Sequence, residues 1–270
     1  MASLDRSSVW QRVSAGCLGV QDTVNVHVPI ADILGIPIHR VSRQQLLQLL
    51  QERKEAGLTT WLITANAELI VRADDNPSLA QTLRKADLLV ADGSGVVWAG
   101  RVLGSYLPER LPGVEIAEEL IKWAADEGLS VYFFGAEPGV AEAAVKQLCS
   151  KYPGLPVAGY HHGYFAESEG REIVREIEQL KPDILLVALG APRQELWIEQ
   201  HISSLDVSIA IGVGGSFDIW AGRVKRAPGW MGDWGLEWLY RLATQPRRAK
   251  RMLALPQFVY RVIKARFTSR

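Results

Sequence analysis

The chain has 270 residues, of which 48% are apolar, and its 30 Lys and Arg residues balance 30 Asp and Glu residues. This length allows one large domain or a domain with an appendage, and the apolar content excludes wholesale disorder. With only Cys17 and Cys149, the chain is no disulfide scaffold, and a reducing compartment is indicated. No apolar run reaches the roughly 20 residues of a membrane-spanning helix. The charges within residues 1–22 argue against a signal peptide.

The neutral total hides a strong asymmetry of charge. Residues 223–270 contain twelve basic residues against Asp233 and Glu237, a net charge of +10, so the remainder carries −10. A basic end on an acidic body predicts an anionic partner for that end. A solubilising tail is the alternative interpretation, although the segment is also rich in aromatic and aliphatic side chains.

The first elements predicted along the chain are a hairpin and a capped helix. Residues 1–22 show no sustained period, and we interpret them as a disordered leader. Alternating valines at 24–28 and isoleucines at 36–38 predict two short strands, paired as a hairpin at a sheet edge. Ser42 and Gln45 have the spacing of a capping box, which predicts the start of a helix.

A strand–helix rhythm follows and predicts the fold class. The predicted strands cover residues 60–64, 87–91, 130–134, 155–159, 183–189 and 207–213. The predicted helices cover residues 67–84, 114–127, 137–151, 170–180 and 192–203. Because the strands are apolar on both faces, they suit a parallel sheet covered by helices. We therefore predict a doubly wound α/β domain over residues 23–222, with its ligand beyond the carboxyl ends of the strands.

The rhythm ends after Gly222. Two further helices are predicted, over residues 233–244 and 247–267, and Pro256 should kink or split the second. Four tryptophans lie within residues 220–238, more than a short helix usually buries, which favours an interface. We predict that residues 223–270 form a basic, Trp-rich helical appendage.

Polar or glycine-rich loops follow four of the predicted strands. They begin with Thr64-Ala65-Asn66, Asp92-Gly93-Ser94-Gly95, Gly190-Ala191-Pro192-Arg193-Gln194-Glu195 and Gly214-Gly215-Ser216-Phe217-Asp218. Each loop alone is ordinary turn and capping chemistry. The carboxyl ends of parallel strands meet at one edge of a sheet, so the four loops together predict an active site there.

Asp92 is the candidate general base among these residues. A carboxylate in a glycine-rich loop can approach a sugar hydroxyl and take its proton, whereas its alternative role is the N-cap of a helix starting near Val96. Gly212, Gly214 and Gly215 would let backbone amides face an anion such as a nucleotide diphosphate. The spacing matches neither a Walker loop nor a complete dinucleotide fingerprint.

The adjacent pair His161-His162 suggests a metal site, but neighbouring residues on a strand point apart. No cysteine or carboxylate cluster completes a zinc site, so we interpret the pair as structural and expect neither a metal nor a cofactor. No nucleic-acid module is recognisable, so we expect no nucleic-acid partner.

An ordered set of motifs makes the chain resemble the WecG/TagA/CpsF family, glycosyltransferase family 26, over residues 30–260. Each motif is weak alone, but their order is specific, and the likeness is strongest to the N-acetylmannosaminyltransferase branch. The motifs are Thr64-Ala65-Asn66-Ala67-Glu68, Asp92-Gly93, Pro112-Gly113, Gly190-Ala191-Pro192-Arg193-Gln194-Glu195, Gly212-Val213-Gly214-Gly215-Ser216-Phe217-Asp218, Arg226-Ala227-Pro228 and Gly235-Leu236-Glu237-Trp238-Leu239-Tyr240-Arg241.

The resemblance implies a metal-independent, inverting transfer of N-acetylmannosamine from a UDP-sugar donor. The acceptor would be the C4 hydroxyl of undecaprenyl-diphosphate-linked N-acetylglucosamine, in wall teichoic acid linkage-unit synthesis. Asp92 would be the catalytic base, and arginines of the appendage would hold the lipid diphosphate. The candidate substrate-binding residues are Thr64, Asn66, Arg110, Gln194, Gly214, Gly215, Asp218, Arg241, Arg248 and Arg251.

The lipid-linked acceptor also implies an anionic membrane surface as a partner, at the inner face of the bacterial plasma membrane. Basic helices with Trp and Phe suit that role, and contacts between copies in solution are another use for the segment. Two alternatives stay open. The same fold could transfer another sugar, glucose or N-acetylmannosaminuronic acid, or the chain could be a non-catalytic nucleotide-binding interaction module.

Overall fold

The computed structural model describes residues 28–228, 231, 237–244 and 252–268. The described strands are β1 (Ile30–Ile33), β2 (Ile36–His39), β3 (Thr60–Ala65), β4 (Leu88–Ala91), β5 (Val131–Gly135), β6 (Val157–His161), β7 (Ile184–Ala188) and β8 (Ile209–Gly212). The described helices are α1 (Arg43–Glu55), α2 (Ala67–Asp75), α3 (Pro77–Arg84), α4 (Ser94–Val102), α5 (Gly113–Glu127), α6 (Val140–Lys151), α7 (Glu167–Leu180), α8 (Arg193–His201), α9 (Ser216–Trp220), α10 (Glu237–Thr244) and α11 (Ala254–Thr268).

Six strands form one parallel sheet in the order β4-β3-β8-β7-β5-β6, and every pairing within it is parallel. Successive residues of each central strand enter opposite layers of the core. In β7, for example, Leu185 and Val187 pack on one side of the sheet and Leu186 on the other. This two-sided burial explains the continuous apolar runs, and it confirms the predicted doubly wound α/β fold.

The helices divide between the two faces of the sheet, and the face changes between two neighbouring strands in its middle. Buried residues of α2, α3, α7 and α8 belong to one core layer, whereas those of α1, α5, α6 and α9 belong to the other. The neighbouring strands β3 and β8 are therefore followed by α2 on one face and α9 on the opposite face. Such a topological switch point is where an open α/β sheet binds its ligand.

The predicted N-terminal hairpin exists, but its first strand is displaced along the chain. Strand β1 pairs antiparallel with β2 as a separate two-stranded sheet, and the turn between them uses Leu34 and Gly35, both with positive φ. The prediction of a strand reaching Val28 is wrong, and residues 24–27 lie outside the described residues, as do residues 1–22. The side chain of His39 joins the hairpin to β4, because its Nδ1 accepts the backbone N–H of Leu89 at 3.0 Å.

Of the predicted helices, the first begins as expected, whereas the second is divided in two. Ser42 and Gln45 form the predicted capping box at the start of α1. The single helix expected over residues 67–84 is wrong, because Asn76 and Pro77 end α2 and begin α3. The Asn76 side chain accepts the first amides of α3, and Pro77 occupies a first-turn position that needs no N–H.

The final helix, α11, is docked on the α/β body. Phe258 and Val262 are buried in the core layer that also contains α2 and α4. Arg261 pairs with Asp74 at 2.6 Å and with Asp75 at 2.8 Å, at the end of α2. Part of the predicted appendage is therefore integral to the body. Pro256 lies in the first turn of α11, which begins at Ala254 directly after a turn at Leu253, whereas Met252 is helical again. The helix expected over residues 247–267 is therefore interrupted close to Pro256, as predicted, and residues 247–251 lie outside the described residues.

Candidate active site

The four predicted loops meet at the carboxyl edge of the sheet. They follow β4, β3, β8 and β7, which are consecutive neighbours in the sheet. The structure therefore brings together Thr64, Asn66, Asp92, Gln194, Gly214 and Gly215 at the switch point. Their common location was predicted from the sequence, whereas the contacts between them were not.

Asp92 directly follows β4 and remains tied to β3. Its backbone N–H donates to the carbonyl of Ala65 at 2.9 Å, so Asp92 lies beside the end of the neighbouring strand. Gly93, with φ of +92°, turns the chain and is the N-cap of α4, which begins at Ser94. The N-cap of α4 is therefore Gly93 and not Asp92, whose alternative role from the sequence was that of an N-cap. The partly exposed Asp92 lies at the mouth of the site.

Thr64 and Asn66 flank this position from β3. A Cβ atom on Gly113 would lie 2.6 Å from Oγ1 of Thr64, so only glycine lets the start of α5 approach that hydroxyl so closely. Asn66 is the N-cap of α2, where its Oδ1 accepts the N–H of Leu69 at 2.9 Å. The side-chain oxygen of Asn66 therefore serves the helix.

Gln194 joins the loops that follow β7 and β8. It is 6% exposed, and its Oε1 accepts the backbone N–H of Gly214 at 3.0 Å. Its amide lies over Gly212, where an added Cβ atom would come within 2.8 Å of the Gln194 Cδ. The Gly214 amide is thus engaged by the protein itself, and the expectation that glycine amides of this loop face an anion rests on Gly215.

Glu195 is a buried acid that sequence reasoning left without a role. It is 3% exposed, and its Oε1 accepts the N–H of Gln194 Nε2 at 2.8 Å. Burial raises the pKa of Glu195, against the opposing effects of the Gln194 hydrogen bond, the backbone N–H of Glu195 itself and the charge of Arg72. Arg72 also donates to the Ala191 carbonyl at 3.3 Å and pairs with Glu68 at 2.7 Å, which connects α2 to the loop after β7.

A second group is a cluster of arginines around Glu115, in the first turn of α5, and of its members the sequence analysis named only Arg110. Glu115 forms ion pairs with Arg43 and Arg226, and Arg110 lies 3.6 Å away. Burial alone would raise the pKa of Glu115, but the hydrogen bond from Arg43 and the three guanidinium charges outweigh it and lower the pKa. The sequence shows the acidic first turn and the nearby Arg110, whereas Arg43 and Arg226 come from distant segments of the chain.

The Glu115 cluster adjoins the candidate base. The N–H of Leu111 donates to the Ala91 carbonyl at the end of β4 at 2.7 Å, which holds the loop before α5 against the site. Three guanidiniums surround Glu115, and the Glu109 carboxylate accepts the backbone N–H of Arg43 beside them, so the cluster keeps a net positive charge. Arg226 also anchors the beginning of the basic C-terminal segment, and Arg223 does so nearby through Glu137 at 3.1 Å.

The structure gives fewer contacts for the remaining predicted site residues, which are Asp218 and three arginines of the C-terminal segment. The carbonyl of Asp218 accepts the N–H groups of Arg223 and Val224, so Asp218 closes the turn after α9. Arg241 lies on α10, and Arg248 and Arg251 lie outside the described residues. The roles assigned to all three arginines stay predictions.

The histidine pair has local contacts that fit a structural role. The rings of His161 and His162 lie 4.5 Å apart, and Nδ1 of His161 is 2.8 Å from the carbonyl of His162. In the parts of the chain that the structure describes, no three His, Cys, Asp or Glu side chains gather as metal ligands.

The fold and the site define the class of protein: a doubly wound α/β protein with a polar site at the carboxyl edge of a parallel sheet. The model of the WecG/TagA/CpsF glycosyl transferase family matches residues 31–270. The chain therefore belongs to this family, as the ordered motifs predicted.

Two relatives refine this comparison, and both are named N-acetylglucosaminyldiphosphoundecaprenol N-acetyl-beta-D-mannosaminyltransferase. The protein from Bacillus spizizenii is 37% identical over 204 residues, which cover 76% of this chain and 79% of the relative. The protein from Staphylococcus aureus strain MRSA252 is 34% identical over 237 residues, which cover 87% and 92%. The chain is similar to both over most of their length.

Proposed function

We propose that this protein transfers N-acetylmannosamine from a UDP-sugar to undecaprenyl-diphosphate-linked N-acetylglucosamine, in the synthesis of the wall teichoic acid linkage unit. The observation that carries this proposal is the placement of Asp92 at the switch point, beside the end of β3 and the arginine cluster around Glu115. The names of the two relatives support the sugar and the lipid-linked acceptor.

In the proposed mechanism Asp92 removes the proton from the C4 hydroxyl of the acceptor sugar. The acceptor oxygen then forms a bond to the anomeric carbon while the bond from that carbon to the UDP oxygen breaks. Attack from the face opposite the leaving group inverts the anomeric centre. One carboxylate is sufficient for this chemistry, since a single proton must be taken up as the new bond forms.

The leaving UDP carries its new negative charge on the diphosphate. The arginines around Glu115 supply fixed positive charge at the same edge of the sheet, and Arg110 is among the residues we assign to substrate binding. Guanidinium groups make strong, charge-assisted hydrogen bonds to phosphate oxygens. Positive groups held in place before the reaction stabilise the charge that develops in the transition state.

We further propose that residues 223–270 act as an appendage that brings the protein to an anionic membrane surface at the inner face of the plasma membrane. A lipid-linked acceptor is confined to the bilayer, so the enzyme must reach it there. On α11, the side opposite Phe258 and Val262 exposes Val259, Tyr260, Ile263 and Phe267. An exposed apolar stripe on a basic segment is typical of interfacial helices. Within the residues that the structure describes, no helix has the length and hydropathy needed to cross a membrane.

A donor panel tests the proposal. Purified protein, lipid-linked N-acetylglucosamine and each of UDP-N-acetylmannosamine, UDP-glucose and UDP-N-acetylmannosaminuronic acid would be combined, and UDP release measured. We expect acceptor-dependent release with UDP-N-acetylmannosamine. A preference for either of the other two donors would change the sugar in this proposal and leave the proposed mechanism unchanged. UDP binding without turnover on any donor would favour the nucleotide-binding module and contradict the proposal.

A further inference from the structure

The buried carboxyl group of Glu195 has a use that the proposed mechanism does not cover. Its Oε1 accepts the Gln194 amide, but its Oε2 has no hydrogen-bond partner among the described residues. A buried carboxyl oxygen without a partner costs free energy, which an apolar side chain of similar size would avoid. An effect of this carboxyl group on the neighbouring site would offset that cost.

Glu195 and the Gly214 N–H together determine which way the Gln194 amide faces. A glutamine amide has one accepting oxygen and one donating nitrogen, so its two ends are not interchangeable. Gln194 donates through Nε2 to Glu195 and accepts through Oε1 from the N–H of Gly214. Both bonds form in only one orientation of the amide. If the amide turned over, its nitrogen would face the Gly214 N–H, and two donors would oppose each other.

The residues packed around Gln194 hold its side chain in place, so the only rearrangement open to its amide group is this reversal. The Gln194 side chain is buried and lies against Gly212. Any other residue at position 212 would place a Cβ atom too close to the Gln194 amide. Steric packing thus fixes the position of the amide group but does not distinguish its nitrogen from its oxygen. That distinction depends on the hydrogen bonds, and Glu195 supplies the acceptor on the nitrogen side.

We propose that Glu195 is a positioning residue for the nucleotide donor, because it orients Gln194 and thereby holds Gly214 and the loop after β8 in their binding conformation. This inference rests on the proposed function, since it takes the loop after β8 as part of the site for the donor diphosphate. Glu195 acts only through Gln194. The group it contributes to Gln194 is an acceptor oxygen.

Two substitutions separate the acceptor from the charge. Glu195→Gln keeps an oxygen that can accept from Gln194, whereas Glu195→Met keeps the approximate volume and removes the acceptor. The probe is UDP, with its dissociation constant measured by calorimetry, together with KM and kcat for the UDP-sugar. We expect Glu195→Met to weaken UDP binding and raise KM by roughly 3- to 10-fold, the equivalent of one neutral hydrogen bond, with a smaller change in kcat. Glu195→Gln should stay within about 2-fold of the wild type.

A double-mutant cycle with Gln194→Ala tests whether Glu195 acts through Gln194. The effect of Glu195→Met on UDP binding should disappear when Gln194 has been removed. Glu199→Gln is the matched control, because Glu199 lies one turn further along α8 and pairs with the exposed Lys85. The control should bind UDP as the wild type does. The melting temperature of every variant should also be measured, because a variant that is partly unfolded would show weaker UDP binding for that reason alone.

Each outcome supports or overturns the inference. Unchanged UDP binding in Glu195→Met would overturn it, as would an equal defect in Glu195→Gln, which would indicate a charge effect. A Glu195→Met defect that persists in full beside Gln194→Ala would also overturn it, because Glu195 would then act by another route. A wild-type protein that binds no UDP would overturn the proposed function together with this inference, whereas the first three results leave the proposed function intact.

Discussion

Replacing Phe258 with alanine should weaken the docking of the C-terminal helix on the body. Phe258 is 1% exposed and packs with Val262 in the core layer of α2 and α4. A phenylalanine buries about 150–250 Å², which at about 25 cal/mol per Å² corresponds to about 4–6 kcal/mol as an upper bound. Measured Phe-to-Ala costs in cores are about 3–5 kcal/mol. We therefore expect a loss of about 3 kcal/mol of docking free energy.

Hydrogen exchange measures this loss directly, because the last helix can open without unfolding the sheet. A loss of about 3 kcal/mol corresponds to roughly 100-fold faster exchange of the α11 amides, at about 1.4 kcal/mol for each factor of ten. Phe267→Ala is the matched control, since Phe267 lies on the same helix and is 72% exposed. It should change stability by less than about 0.5 kcal/mol. Equal exchange rates in the two variants would refute the docking described for α11.

Three further predictions concern the metal, the acidic cluster and the membrane. Turnover should survive excess EDTA, because arginines are expected to neutralise the diphosphate; activity lost to EDTA and restored by Mg²⁺ or Mn²⁺ would contradict this. Glu115→Gln should lower the free energy of unfolding at pH 7 by on the order of 1 kcal/mol, since the pairs are partly screened. The pKa of Glu115 in the folded protein is lowered from 4.5. The stability difference between the two proteins should therefore be complete above pH 4.5 and vanish as the pH falls through the folded pKa. Denaturant titrations that show the same difference at every pH would disprove the stabilising role of the Glu115 ion pairs. Tyr260→Ser combined with Phe267→Ser should reduce sedimentation with anionic liposomes, whereas Leu180→Ser, at an exposed position on α7, should not; equal retention would argue against the membrane-facing role of α11.

The central strands of the sheet were predictable because they are buried on both faces, whereas the partly exposed edge strand β6 covers Val157–His161 instead of the predicted residues 155–159. A run such as residues 183–189 must be apolar throughout to enter two core layers, and the observed β7 lies within that run. The position of the hairpin was harder to predict. Its turn uses Leu34 and Gly35 with positive φ, and leucine is an unusual residue for that conformation. The break at Asn76-Pro77 was available in the sequence, since asparagine before proline is a typical helix start.

The location of the candidate site was predictable, whereas its internal contacts were not. Parallel strands place their carboxyl ends together, so the four polar loops had to share an edge. The bond from Gly214 to Gln194 joins residues 20 positions apart, and the ion pair of Arg226 with Glu115 spans 111 positions. No periodicity encodes such distant pairings. They depend on how the loops and the C-terminal segment fold back on the sheet.

The most direct test of the account is the turnover of Asp92→Asn with UDP-N-acetylmannosamine and the lipid-linked acceptor. Asparagine keeps the size and polarity of Asp92 but cannot take a proton from the acceptor hydroxyl. We expect a folded protein that binds UDP as the wild type does and turns over roughly 10²–10⁴-fold more slowly. Near-normal turnover in the folded variant would contradict the assignment of Asp92 as the catalytic base.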